Sequence, residues 1–98
     1  LDIAVDFGAP VYATAAGTIE QAGWNGGYGR YVRINHGNGY ETAYGHMSGI
    51  AVAAGQKVIK GEIIGFVGST GYSTGPHIHY EVLADGQNID PFYVLKNK

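Results

Sequence analysis

Seventeen glycines fall mostly between short runs of valine, isoleucine, tyrosine and threonine, and this spacing constrains the chain more than any other feature. Runs of β-branched and aromatic residues broken at short intervals by glycine are the pattern of strands joined by tight turns. No segment sustains a helical period. The reading predicts strands over 11–14, 18–22, 31–35, 40–46, 57–59, 63–67 and 78–83. Asn38-Gly39, following His36-Gly37, predicts a hairpin, because both central positions of a type I′ turn require positive φ. Trp24 to Gly29, WNGGYG, holds too much glycine for a strand and reads as an exposed loop at the rim of a binding groove. Asp6-Phe7-Gly8-Ala9-Pro10 reads as a turn. The stretch 52–68 repeats valine or isoleucine with glycine as stacked hairpins in a compact barrel would, and reads as scaffold.

A chain of 98 residues with 45% hydrophobic and 14% charged residues fits one domain and is expected to fold around a core. Its net charge of −2 and scattered basic residues give no stripe for a phosphate backbone, so nucleic acid is not an expected partner. Capture in a groove, which the eight tyrosines would suit, is expected in place of long-range steering. The absence of cysteine removes disulfides, thiolate zinc ligands and a cysteine nucleophile together. No run approaches the roughly 18 apolar residues of a membrane span. The opening Leu1-Asp2-Ile3, without a methionine, reads as part of something longer.

The sharpest chemical signal is Ser73-Thr74-Gly75-Pro76-His77-Ile78-His79-Tyr80-Glu81-Val82. Alternation puts His77, His79 and Glu81 on one face of a strand and Ile78, Tyr80 and Val82 on the other. Imidazole nitrogen suits zinc, and a strand presents such ligands without ordering a loop. Two histidines at this spacing equally fit a half-buried strand with a polar outer face. In Tyr40 to His46, parity groups Tyr40, Thr42, Tyr44 and His46 on one face, with Ala43 and Gly45 on the other. His46 gains meaning only if it meets the His77–His79 strand. Asp2 offers a carboxylate partner to histidine, in competition with Asp6, while His36 belongs to its turn and reads as structural. Stretch 52–68 also resembles half of a biotinyl or lipoyl carrier domain, but neither Lys57 nor Lys60 has the setting of a modified lysine.

The order Asp2-Ile3-Ala4, Gly8-Ala9-Pro10-Val11-Tyr12-Ala13, His36-Gly37-Asn38-Gly39-Tyr40, Tyr44-Gly45-His46-Met47-Ser48 and Gly71 to Val82 resembles the lysostaphin-type (LytM-like) peptidoglycan zinc metalloendopeptidases. The resemblance runs almost end to end. It implies an all-β fold, an antiparallel β-barrel-like sandwich with a long open groove. It implies Zn²⁺ held by Asp2 and His79, with His46 and His77 as the catalytic pair, and a peptidoglycan stem peptide or cross-bridge as substrate. Secretion or residence in the cell envelope of a bacterium, or a phage origin, follows from that substrate. The family's first ligand histidine lies four residues before the aspartate, so residues 1–98 are expected to be a catalytic domain truncated at its N-terminus. Two rivals remain: a catalytically inactive wall-binding or hydrolase-activating domain of the same fold, and a phosphotransfer barrel with paired histidines.

Overall fold

The computed structural model describes the backbone of residues 2–4, 6–69 and 77–89 and the side chains of residues 6–69 and 78–87. In chain order the strands are β1 (Asp2–Ala4), β2 (Pro10–Tyr12), β3 (Gly17–Trp24), β4 (Arg30–Gly37), β5 (Tyr40–Ile50), β6 (Lys57–Val58), β7 (Ile63–Val67), β8 (His77–Ala84) and β9 (Gln87–Ile89). The helical content among the described residues is one 3-10 turn, Gly26–Tyr28. The main sheet runs β1-β8-β5-β4-β3-β6, β9 extends β8 beyond β1, and a β2–β7 pair joins through β5. The strand pairs among the described residues are antiparallel. The expected open, barrel-like all-β architecture is therefore the one observed.

The long strand β5 organises this arrangement. Tyr40 to Gly45 pair with β8, whereas Met47, Gly49 and Ile50 pair with β7, so β5 changes partner across His46. His46 is one of the non-glycine residues with positive φ, at 60°. A single left-handed residue bends a strand and turns the sheet, as bulges do at barrel corners and beside active sites. The β2–β7 pair is thereby folded over the sheet.

Hydrophobic burial between the two layers holds them together. Val11, Ile64 and Val67 from the β2–β7 pair join Ile19, Val32, Ile34, Tyr44, Met47, Ile78, Tyr80 and Val82 from the sheet in one buried cluster. Each such aliphatic side chain stabilises the fold by about 1.5–3 kcal/mol relative to exposure. Where β7 pairs with β5, a Cβ on Gly65 would stand 2.6 Å from the Gly49 carbonyl oxygen and 2.7 Å from the Met47 sulfur. Glycine is required there by the approach of backbone to backbone.

The hairpin expected at Asn38-Gly39 joins β4 to β5, with φ of 53° and 80° at the two residues. The Asp6 turn also forms, closed by the Ala9 N–H donating to the Asp6 carbonyl at 3.1 Å. The stretch 52–68 departs from the expectation of stacked hairpins. β6 pairs with β3, and β7 pairs with β2 and β5, so these neighbours in sequence take different partners.

Candidate active site

Strand β8 has one apolar face and one chemical face, as alternation requires. Ile78, Tyr80 and Val82 are buried in the core, while His79 and Glu81 occupy the opposite face. Across the strand pairs, His79 stands opposite Gly45 on β5 and opposite Asp2 on β1; His77 stands opposite Ala4. The backbone thus brings Asp2 into direct register with His79. The side chains of Asp2 and His77, and the Ser73–Pro76 lead-in, lie outside the described residues.

Parity along β5 mispredicts His46. Tyr44 is register partner to Tyr80 and packs against it on the core face, with ring centroids 5.4 Å apart. Strict alternation would send His46 to that same face. Its left-handed φ interrupts the alternation, and the imidazole comes to lie edge-on to His79 with centroids 6.0 Å apart. His46 as a residue is 7% exposed. One strained residue therefore makes both the corner of the sheet and the meeting of two histidines.

The glycine-rich loop supplies the third wall. The Tyr28 ring lies 5.4 Å from His79 and 5.2 Å from Tyr31, tilted to both. Gly45 underlies it, since a Cβ there would come within 3.3 Å of the Tyr28 carbonyl oxygen. Glu81 places Oε1 3.2 Å from His79 Nε2. Hydrogen bonding to the Glu81 carboxylate, with burial second, raises the Tyr28 pKa above the ordinary 10.0. Burial raises that of Tyr31 as well. Both tyrosines are therefore neutral donors at physiological pH.

The same face continues away from the histidines through Arg33 and Glu41. Arg33 Nε donates to the Tyr31 hydroxyl at 3.2 Å and approaches Glu41 Oε1 at 3.9 Å. The hydrogen bond between the Glu41 and Glu20 carboxyls, followed by burial, raises the Glu41 pKa above 4.5. None of Tyr28, Arg33, Glu20 and Glu41 stands out individually in the sequence. Only the WNGGYG loop carried a legible signal, through its composition. The tyrosines divide in a way composition did not predict: Tyr28 and Tyr31 face the site, whereas Tyr44 and Tyr80 belong to the core. His36 is structural as read, its Nδ1 2.7 Å from the Ala16 carbonyl oxygen and Nε2 2.6 Å from the Thr42 hydroxyl.

The donor chemistry suits a metal such as zinc, which takes imidazole nitrogen and carboxylate oxygen. Among the described residues the side chains form no group of three histidine, cysteine or acidic donors. His46 and His79 supply two imidazoles at one place, and Asp2 is in register beside them.

A curled antiparallel sheet carrying paired histidines at its corner defines a metallopeptidase-like domain. Residues 1–91 match the profile of Peptidase family M23, and the chain belongs to that family. It is 52% identical over 94 residues, 96% of its length, to a DD-carboxypeptidase/endopeptidase, Mpg, of Neisseria meningitidis serogroup B. The catalytic domain of the antimicrobial peptidase lysostaphin from Staphylococcus simulans superposes with a TM-score of 0.90 at 37% identity, covering 97% of this chain and 76% of that one. A zinc-containing peptidase from Vibrio cholerae gives 0.87 at 40% identity, covering 91% of this chain and 28% of that one. The chain spans about a fifth of the length of the curated relatives it matches, 22% of the Neisseria protein and 21% of a Vibrio cholerae peptidoglycan DD-endopeptidase.

Proposed function

We propose that this domain hydrolyses peptide bonds in the cross-links of bacterial peptidoglycan and uses zinc to do so. The observation that carries the reading is the meeting of His46 and His79 at the corner of β5, with Asp2 in register beside His79. The names borne by the Neisseria and Vibrio relatives support a DD-bond in a stem peptide or cross-bridge as the one cut. Work on the wall implies an extracytoplasmic site of action. No helix among the described residues is long and apolar enough to cross a membrane.

In this reading Asp2 and His79 hold the metal, together with a histidine that the family resemblance puts upstream of Leu1. When bound there, zinc would polarise a carbonyl and lower the pKa of water towards neutrality. Proton movement then falls to His46 and His77. A neutral imidazole takes a proton at its lone-pair nitrogen, and an imidazolium gives one to the departing amine. Burial of His46 keeps its ring away from bulk water, so its hydrogen bonds act in a low dielectric.

Incubation of the intact protein with purified peptidoglycan tests this, with new amino and carboxyl ends counted by mass spectrometry. Release should stop on chelation and return with added zinc. A zinc-loaded protein that retains the wall but releases no ends would overturn the enzyme and leave the wall-binding scaffold.

A further inference from the structure

We infer that Tyr28 and Glu81 form a positioning pair for His79, fixing which imidazole nitrogen is offered to a metal. The inference rests on the proposed role of His79 as a ligand and adds to it a function for the glycine-rich loop. An ionised carboxylate accepts hydrogen bonds and donates none. The 3.2 Å contact from Glu81 Oε1 to His79 Nε2 therefore puts the ring proton on Nε2. In a neutral imidazole the lone pair then resides on Nδ1, the nitrogen left to bind a cation.

Tyr28 makes that arrangement rigid. Its ring packs on His79 at 5.4 Å and restrains the imidazole, and Glu81 is the largest cause of the raised Tyr28 pKa, so the hydroxyl also senses the carboxylate. The loop that carries Tyr28 is itself closed by backbone bonds: Asn25 N–H to the Gly29 carbonyl at 2.8 Å and Tyr28 N–H to the Asn25 carbonyl at 2.9 Å. Side-chain exposures of 23% for His79 and 14% for Glu81 leave the contact largely dry, where it is stronger and its geometry matters more.

Three variants of the intact protein test the pair: Glu81→Ala, Glu81→Gln and Tyr28→Phe. Long-range nitrogen–proton NMR on the metal-free protein reports the His79 tautomer, and competition with a chromogenic chelator reports the zinc Kd. Wild type should hold the Nε2–H tautomer. Glu81→Ala should lose that preference and weaken zinc binding by about 10–100-fold, the usual cost of removing an outer-shell partner. Tyr28→Phe should shift both readouts less. Glu81→Gln keeps an acceptor oxygen and should restore both towards wild type. An unchanged tautomer and Kd in folded Glu81→Ala would overturn the inference. Should that variant not fold, the same unchanged pair of values in Tyr28→Phe would overturn it. A wild type that binds no zinc would instead remove the proposed function, with the tautomer measurement still deciding the positioning.

Discussion

Replacing Tyr44 by phenylalanine removes one oxygen from a hydrogen-bond chain that links the β4–β5 hairpin to the core. The His36 Nδ1–H donates to the Ala16 carbonyl, so Nε2 accepts from the Thr42 hydroxyl at 2.6 Å. The Thr42 oxygen accepts from the Tyr44 hydroxyl at 2.9 Å, and the Tyr44 oxygen accepts from the Thr14 hydroxyl at 2.9 Å and the Thr14 N–H at 3.2 Å. Thr14 Oγ1 retains a second partner in the Tyr80 hydroxyl at 3.3 Å. The substitution therefore strands the Thr14 N–H and one lone pair of the buried Thr42 oxygen. An orphaned buried polar group costs about 1–3 kcal/mol. Thr14 is half-buried and within reach of water, so the loss should be about 1–2 kcal/mol, a fall in Tm of roughly 4–16 °C for a domain of this size. Calorimetry of wild type and variant measures it. Because Tyr44 lies on the face opposite His79, peptide release well below the melting point should be unchanged. A variant melting within about 2 °C of wild type would refute the accounting.

At position 46 the conformation and the chemistry separate: His46→Gly and His46→Ala both remove the imidazole, but only glycine accepts a φ of 60° freely. His46→Gly should be the more stable by about 1 kcal/mol in urea unfolding, with neither variant active. Gly65→Ala forces a Cβ to 2.6 Å from the Gly49 carbonyl oxygen of the paired strand β5 and should lower stability by about 1–3 kcal/mol, seen as an earlier denaturation midpoint. Glu41 titrates above its ordinary 4.5 because it shares a hydrogen bond with Glu20. Its stabilising contribution is full below that value and is lost as pH rises through the folded-state value. Wild type should thus lose stability between pH 4.5 and neutrality relative to Glu41→Gln, which keeps a donor to Glu20 without needing the proton. Urea unfolding of both proteins at the two pH values reads the difference.

Much of the fold was legible in the sequence because strands bounded by glycine leave a period that packing seldom overrides. Ile63–Val67 forms a strand with the predicted bounds, and β8 extends the predicted 78–83 by one residue at each end. β1 and β9 were missed because three residues show no period; both exist by pairing with the free edge of β8. Strand partners in 52–68 were not legible either, since two short apolar runs separated by glycine fit a hairpin as well as two distant pairings. The site was legible as residue types in order, and its assembly was not. Alternation assigns His46 to the Tyr44 face, and only the left-handed backbone at that residue, which histidine adopts rarely, turns it towards His79. The placement of Glu41 near Arg33 depends on the β4–β5 register, with its shifts, and is invisible in the linear chain.

Zinc content by elemental analysis, across alanine variants at Asp2, His79, His46 and His77 of the intact protein, tests the central claim most directly. The account predicts that Asp2→Ala and His79→Ala lose the metal, whereas His46→Ala and His77→Ala keep it and fail to release peptide ends. Metal retained without Asp2 and His79, or lost with His46 alone, would contradict the assignment.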